Sequence, residues 1–323
     1  EKLVPSLFLA LSRVAVVDNS PSCREIASAL LSSMFTRMSK LECSFKFVTD
    51  LIVAWISQPA NPVLVRCGLN AYESYVTALG IDENQELNKL AMERVLEVLK
   101  SVKRTDAQQS QNDNIDWEII YAVMSTFEAV LETSIANVTR SLRDAEIWKY
   151  IIEALLYPHS WIRAAASRLI SSLLLEIEND RQAVQFEVSD EEIQTIAYRS
   201  FRQLGAPQVQ SDLASQAIKN IAIISRIWEK ANTPFISAAF TKHNDGKDAA
   251  NEEKHEVKTY DSPLEWAINR SAAILRNESR GNSQTLVAKK ALIRYYTFIS
   301  KFVDSKRLGE ILSEQVLIPL VNI

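Results

Sequence analysis

The feature that most constrains the fold of this chain is a recurring pattern: a turn with proline or asparagine, often an arginine, and then an alanine-rich apolar stretch. The clearest copy runs from Pro158 to Arg163 and is followed by three alanines. Earlier copies end in Arg24 and Arg66, which are 42 residues apart. A degenerate later copy ends at Gln210, 47 residues after Arg163. Such regular spacing predicts a repeat architecture, in which each unit packs mainly on its neighbours.

Around these turns, apolar residues recur at the spacing of amphipathic helices, as in the stripe Ile162, Ala166, Leu169 and Leu173. Intervals of 42 and 47 residues are typical of two-helix HEAT and armadillo units. The first helices of the pairs are predicted at 3–17, 45–56, 85–102, 142–157, 191–204 and 264–277, and the second helices at 22–38, 64–79, 116–133, 161–177, 211–230 and 284–303. The sequence therefore predicts an all-α fold: a single continuous α-solenoid over residues 1–323, with about seven HEAT- or armadillo-like hairpins and no sheet.

Composition disfavours the main alternatives to a helical fold. The chain has six glycines and nine prolines in 323 residues. Tight turns between strands depend on residues that reach positive φ, so the scarcity of glycine disfavours a sheet-rich fold. Rossmann and P-loop enzymes are disfavoured for the same reason, because both bind phosphate with glycine-rich turns. An apolar share of 47% is typical of a packed globular protein and too high for disorder.

Net charge and hydropathy limit the kinds of partner. The formal charge is −4 at pH 7, so any contact with nucleic acid or an anionic membrane must depend on a local patch. No uncharged apolar run approaches the length of about 20 residues that spans a bilayer, so no membrane association is expected. The chain begins at Glu1 without a methionine and ends within the apolar run 316–323. We therefore expect it to be a piece of a longer protein.

Two polar stretches interrupt the helical pattern. Residues 101–114 (SVKRTDAQQSQNDN) contain no aromatic residue, and residues 242–258 (KHNDGKDAANEEKHEVK) carry four lysines against five acids. Neither stretch can bury enough apolar surface to pack, so both are predicted to be surface insertions or flexible loops.

The residues of the repeated turn are interpreted as structural. Proline ends the first helix of a pair because it cannot donate a mid-helix hydrogen bond, and Pro158 has this position in the clearest copy. An arginine after the turn can bond carbonyls or a carboxylate of the adjacent unit. We therefore predict that Arg24, Arg66 and Arg163 lie in the seams between repeats. Trp161 is predicted to be a packing anchor.

Residues that catalysis or metal binding would need are scarce. His159 lies in a repeat turn, whereas His243 and His255 lie in the second polar stretch without the fixed i, i+4 geometry of a zinc enzyme. No glycine-rich phosphate loop, GxSxG motif or CxxC motif occurs. The sequence therefore predicts that the chain is not an enzyme and has no catalytic residue, cofactor or metal site.

One basic stripe is the candidate binding surface. Lys290, Arg294 and Lys301 fall at i, i+4 and i+11 of the last predicted helix, so they share one face. Lys289 flanks them. The functional interpretation is contact with RNA phosphate or with an acidic partner. The alternative is an ordinary solvated lysine face, and the sequence leaves both open.

Two segments resemble a known family. Residues 157–170 (YPHSWIRAAASRLI) are similar to a stretch of the form hPHxWVRxxASRLh, in which h is an apolar residue. Residues 263–278 (PLEWAINRSAAILRNE) resemble a later helix of the form PLxWhFxRLSxIhRxE. In this order and separation, they resemble the C-terminal half of the giant HEAT-repeat small nucleolar RNA-associated proteins of the small-subunit processome, also called the down-regulated-in-metastasis family.

The resemblance implies a non-catalytic scaffold of the early pre-ribosome, located in the nucleolus and nucleus as part of a large ribonucleoprotein assembly. Its implied partners are other pre-ribosome assembly proteins and pre-rRNA or small nucleolar RNA. The alternative is a different interaction solenoid, such as a nuclear transport receptor that binds Phe-Gly repeats between its outer helices. A helical enzyme is a third alternative, which a pocket lined by convergent carboxylates or a metal would favour.

Overall fold

The chain folds into helices joined by turns. The computed structural model of the protein describes residues 3–43, 45–58, 60–80, 85–108, 117–133, 145–179, 188–204, 210–236, 260–277 and 283–313, and these ranges contain no strand. The helices in chain order are α1 (Val4–Val17), α2 (Pro21–Lys40), α3 (Lys46–Ile56), α4 (Pro62–Leu79), α5 (Gln85–Gln108), α6 (Trp117–Thr133), α7 (Ala145–Ala154), α8 (Ser160–Asn179), α9 (Asp190–Leu204), α10 (Ser211–Ala231), α11 (Pro263–Asn277), α12 (Ser283–Ile299) and α13 (Ser305–Leu312). The predicted all-α fold is confirmed.

Local signals set several of the helix starts. Pro21 and Pro62 occupy the first positions of α2 and α4, where a missing N–H leaves no hydrogen bond unmade. The preceding side chains cap the same helices. Ser20 Oγ accepts a hydrogen bond from a backbone N–H in the first turn of α2 at 3.4 Å, and Asn61 Oδ1 accepts one in α4 at 3.2 Å. In these two copies, the recurring turn therefore carries its own start signal for the second helix of the pair.

The first polar stretch is partly helical, so the prediction of a flexible loop is wrong for residues 101–108, while that of a surface insertion stays a prediction. Helix α5 continues to Gln108, six residues beyond its predicted end, and so includes the first part of the stretch at 101–114. Residues 101–108 contain neither glycine nor proline, so helix propensity continues after the apolar stripe has ended. Residues 109–114 and the second predicted insertion at 242–258 lie outside the described residues.

The last predicted helix ends early. Helix α12 stops at Ile299 rather than at residue 303, and the Lys301 N–H then donates to the Phe298 carbonyl at 3.2 Å in a tighter turn. A further helix, α13, follows, which the sequence analysis missed. Its cap is Asp304, whose Oδ2 accepts a hydrogen bond from the Arg307 N–H at 3.0 Å. Lys301 therefore lies in the turn between two helices and not on α12.

The chain divides near Ile151 into two compact units. In the first unit, α2, α4 and α6 pack one on the next, and α1, α3 and α5 follow one another beside them. Helix α1 also packs on α2, α3 on α4, and α5 on α6. The unit thus consists of paired helices in two rows, which is the arrangement of a solenoid.

The second unit has the same internal organisation. Helices α8, α10 and α12 form one row, in which each helix packs on the next. Helices α9, α11 and α13 form the other, and α9 and α11 also pack against α10. The solenoid-like packing of neighbouring helices is confirmed in each unit, while one continuous array of about seven hairpins over residues 1–323 stays a prediction.

Aromatic pairs form the core of the first unit. The Phe8 ring stacks on the Trp55 ring with 5.5 Å between their centroids, and Phe35 meets Tyr75 edge-on at 5.6 Å. These four residues come from α1, α3, α2 and α4 respectively. The contacts join four helices into one hydrophobic core.

In the second unit, a buried amide fixes the chain that follows α10. Gln194 on α9 is fully buried. Its Nε2 donates to the Pro234 carbonyl at 3.2 Å, and its Oε1 accepts a hydrogen bond from the Ile236 N–H at 3.0 Å. The Phe235 ring contacts the Tyr260 ring with 5.4 Å between centroids. Residues 235 and 260 therefore lie next to each other.

Candidate functional site

One of the turn arginines, Arg66, links two successive helices of one row. Arg66 on α4 forms an ion pair with Glu118 on α6, and both side chains are partly exposed. A carboxylate of the following repeat is the type of partner that the sequence predicts for this arginine. The contribution of Arg66 to stability stays a prediction.

Arg163 bonds a different partner from the one expected. Its Nη1 donates to the Tyr157 carbonyl at 2.8 Å and to the Pro158 carbonyl at 2.7 Å. Both carbonyls belong to the turn before its own helix, α8, and not to an adjacent repeat. Helix α7 ends at Ala154, and carbonyls that follow a helix end need partners from outside the helix. Arg163 therefore closes its own turn, and burial lowers the pKa of its guanidinium.

Three turn residues remain to be placed: Trp161, Pro158 and Arg24. Trp161 is 50% exposed, and its ring meets the His159 ring edge-on at 6.2 Å, so it is not a buried packing anchor. Pro158 is exposed in the turn. Within the described part of the chain, the half-buried Arg24 guanidinium has no hydrogen-bond or ion-pair partner. The arginine position after the turn, occupied by Arg24, Arg66 and Arg163, thus has a different environment in each of the three repeats.

Replacing Arg163 by alanine is expected to lower the free energy of unfolding by about 1 kcal/mol, because two turn carbonyls lose their charged donor. Arg24→Ala is the matched control, since it removes the same side chain from the same motif position without a bonded partner. Thermal and urea unfolding of both variants measure the difference. Equal losses in the two variants would contradict a specific role of the Arg163 hydrogen bonds.

A polar network joins α8 to α10 inside the second unit. The Asn220 amide donates to Ser167 Oγ at 2.8 Å and to the Ser167 carbonyl at 3.2 Å, while its Oδ1 accepts a hydrogen bond from Ser171. Gln216 Nε2 donates to Ser171 Oγ at 2.5 Å. Asn220 and Ser167 are fully buried. Directional bonds of this kind fix how far one helix is shifted along the other.

Two tyrosines extend these polar contacts to α12. The Tyr295 hydroxyl lies 3.0 Å from Ser225 Oγ on α10, and the Tyr296 hydroxyl lies 2.6 Å from Ser271 Oγ on α11. Burial raises the pKa of both hydroxyls, that of Tyr296 to about 12. Both hydroxyls are therefore neutral near pH 7 and can donate. These contacts were not predicted, because in the sequence they are marked only by a polar residue inside an apolar stripe.

An ion cluster adds a further link between α8, α10 and α12. The Glu178 carboxylate has 6% of its side chain exposed and lies 2.5 Å from Arg226 Nη2 and 3.1 Å from Lys230 Nζ. The Arg226 guanidinium also lies 4.9 Å from the centroid of the Phe298 ring. Arg226 and Lys230 both pair with Glu178, so we assign this cluster to the structure of the fold and not to a binding site.

The predicted basic stripe is found at the surface, with one change. Lys290 and Arg294 are exposed on α12, Lys289 is half-buried beside them, and Lys301 is exposed in the following turn. Arg294 Nη1 lies 3.4 Å from Ser215 Oγ on α10. Contact of these four residues with RNA or a partner stays a prediction.

Two exposed aliphatic residues lie beside the basic residues. This aliphatic pair was not predicted from the sequence. Leu286 is 53% exposed and Ile293 is 60% exposed. They are seven residues apart, which places them on the same side of the helix as Lys290. The periodicity would have revealed them, since both lie opposite the buried residues of α12. The exposed face of α12 is thus both basic and apolar.

No metal centre or membrane segment is found in the parts of the chain for which the structure is described. No group of three or more histidine, cysteine or acidic side chains there could hold a metal ion. His243 and His255 lie outside those ranges. None of the helices combines the length and the apolar character that crossing a membrane requires, again within the described ranges.

The fold defines a class of protein: helical repeats in which paired helices pack in two rows within each unit. Within this class, the chain belongs to the family described as Small subunit processome component 20 homolog, C-terminal, whose family model matches residues 78–307.

Two curated relatives match over most of this chain. The chain is 30% identical over 321 residues to U3 small nucleolar RNA-associated protein 20 of Saccharomyces cerevisiae, a match that covers 99% of this chain and 12% of the relative. It is 22% identical over 245 residues to the protein of the same name from Schizosaccharomyces pombe, with 71% of this chain and 9% of the relative covered. The chain thus spans about a tenth of the length of these relatives.

Among solved structures, an engineered protein matches with a TM-score of 0.44 and 12% identity, over 90% of this chain and 97% of that chain. This likeness is too low to support a conclusion about either fold or function.

Proposed function

We propose that this chain is part of a non-catalytic scaffold that acts in the biogenesis of the small ribosomal subunit. In this proposal it helps to assemble the small-subunit processome, the 90S pre-ribosome, and supports pre-rRNA processing. The match of residues 78–307 to the processome family carries the proposal. The names of both relatives, which refer to association with a small nucleolar RNA, support it. The proposed location is accordingly the nucleolus.

The packing of the chain is compatible with a scaffold. Its polar contacts join helices to one another, as in the network around Asn220 and the ion cluster around Glu178. The proposed partners are pre-ribosome assembly proteins and pre-rRNA or small nucleolar RNA. They would contact the helix faces that remain outside these seams, among them the exposed face of α12.

Affinity purification of the whole protein that contains this chain tests the proposal. We expect the purified material to contain processome proteins and unprocessed pre-rRNA, above the level found with an unrelated tagged nuclear protein. Ribonuclease treatment before elution separates partners bound through RNA from partners bound directly. Recovery of nuclear-pore proteins and transport cargo in place of pre-ribosomal components would contradict it and favour a transport receptor.

A further inference from the structure

We propose that the exposed face of α12 binds an acidic amphipathic helix of a partner protein. This inference rests on the proposed scaffold function and specifies the chemistry of one of its partners. The surface, called the α12 face below, consists of Leu286, Lys290, Ile293, Arg294 and Thr297. All five side chains are exposed.

The aliphatic part of the α12 face has no role in the core of its own unit. Helix α12 packs inward through a separate set of buried residues: Ala288, Leu292, Tyr295 and Ile299. Leu286 and Ile293 lie on the opposite side and keep 53% and 60% of their surface in contact with water. Two turns separate them, a distance of about 10 Å along the helix. An aliphatic pair at this spacing matches the i, i+3, i+4, i+7 anchors of a second helix.

The segment of the chain that carries the α12 face is strongly basic. Residues 283–307 contain six basic residues and a single acid, although the whole chain has a net charge of −4. The acid, Asp304, accepts the Arg307 N–H as the cap of α13. Lys290 and Arg294 lie along one edge of the Leu286 and Ile293 pair, and the half-buried Lys289 lies along the other edge. Carboxylates of a partner would therefore lie on either side of the aliphatic contact. Charge complementarity of this kind selects an acidic partner and speeds its association.

The same surface suits RNA less well. Sequence-tolerant binding to single-stranded RNA combines basic residues with exposed aromatic rings on which bases stack. The aromatic residues nearest to this face are otherwise engaged. The Tyr296 hydroxyl pairs with Ser271, and the Phe298 ring lies against the Arg226 guanidinium. Phosphate contacts would also leave Leu286 and Ile293 without an apolar partner. The mixed surface therefore favours a helix that carries both acidic and aliphatic side chains.

A photo-crosslinking amino acid placed at Ile293 of the whole protein tests the inference in cells. We expect crosslinks to a segment of another protein that is rich in Asp and Glu and has aliphatic residues at helical spacing. The same crosslinker at Lys219, which is exposed on α10, is the control for general proximity. The inference is overturned if Ile293 crosslinks only to RNA or to another segment of the same polypeptide. It is also overturned if crosslinks from Ile293 are no more frequent than those from Lys219.

Two single substitutions then separate the acidic helix from RNA. The probes are a synthetic peptide of the crosslinked segment and a single-stranded RNA oligonucleotide of the same net charge. Ile293→Ser and Lys290→Gln should each weaken peptide binding by about tenfold, because one removes apolar contact and the other removes charge. Lys219→Gln removes one charge elsewhere in the same unit and should leave peptide binding within twofold. If Ile293→Ser has no effect while Lys290→Gln weakens binding of the RNA, the surface binds phosphate and the inference fails.

Failure of this inference and failure of the proposed function are distinguishable. If processome proteins and pre-rRNA copurify with the whole protein but Ile293 gives no specific crosslink, the scaffold function stands and the α12 inference falls. If the acidic peptide binds as expected but no pre-ribosomal component copurifies, the α12 face stands and the scaffold function falls.

Discussion

Replacing Gly68 by alanine is expected to lower the free energy of unfolding by about 2–3 kcal/mol. An alanine Cβ at this position in α4 would lie 2.8 Å from Ile56 Cγ1, 3.0 Å from the Ile56 nitrogen and 3.1 Å from the Ile52 carbonyl oxygen. Two of these three atoms belong to the backbone of α3, so relief requires a shift of the helix and not only of a side chain. Glycine in a helix is less favourable than alanine by about 1 kcal/mol. At Gly68 the close packing of α3 on α4 offsets this loss.

Gly309 in α13 provides the matched control. An added Cβ there meets no atom within 4 Å, so Gly309→Ala should raise stability by about 0.5–1 kcal/mol through helix propensity alone. Thermal unfolding should show a loss of stability for Gly68→Ala and a gain for Gly309→Ala. Faster hydrogen exchange in α3 and α4 would locate the destabilised region of Gly68→Ala. A Gly68→Ala variant as stable as the wild type would show that α3 and α4 can separate at little cost.

Replacing Asn220 by alanine is expected to destabilise the second unit by about 3 kcal/mol. The substitution removes the donor to Ser167 and the acceptor for Ser171. Asn220 and Ser167 are fully inaccessible to water, so solvent cannot replace the lost bonds. Leaving a buried polar group unpaired costs more than an ordinary hydrogen bond contributes. The loss should appear as a lower urea midpoint and as faster hydrogen exchange in α8 and α10.

Lys219→Ala is the control for this substitution, because Lys219 precedes Asn220 on α10 but is exposed. A change within about 0.5 kcal/mol is expected for it, as for most surface substitutions. If Asn220→Ala is no more damaging than Lys219→Ala, the network between α8 and α10 does not contribute to stability. If the network does contribute, replacing both Asn220 and Ser171 by alanine should cost less than the sum of the two single substitutions, since both residues belong to it.

The helices of this fold could be predicted from the sequence because their signals are local. Apolar spacing identifies the buried face of each helix, and the Ser20-Pro21 and Asn61-Pro62 turns contain both a cap and a suitable first residue. The exceptions have local causes as well. Helix α5 runs past its apolar stripe to Gln108 because nothing in residues 101–108 ends it, and α13 is short enough to escape a search for long apolar stripes.

The contacts of the functional and structural residues could not be predicted in the same way. Arg24, Arg66 and Arg163 occupy equivalent positions in the repeat, yet among the described residues only Arg66 meets a carboxylate from the next helix of its row, Glu118. That partner lies 52 residues away in the sequence, and no local pattern specifies it. The basic residues of the α12 face were found from their charge, whereas Leu286 was overlooked because an exposed aliphatic residue resembles a core residue in a sequence.

The contact between Phe235 and Tyr260 has a consequence for how the chain tolerates changes in length. The two rings lie together in the folded unit, and Gln194 holds the backbone on one side of them. The ends of the intervening stretch are therefore closed by interactions that do not depend on its length. For a flexible connection, each doubling of length adds only about 0.6 kcal/mol of closure entropy. We therefore expect residues 235 and 260 to stay side by side when the number of residues between them changes.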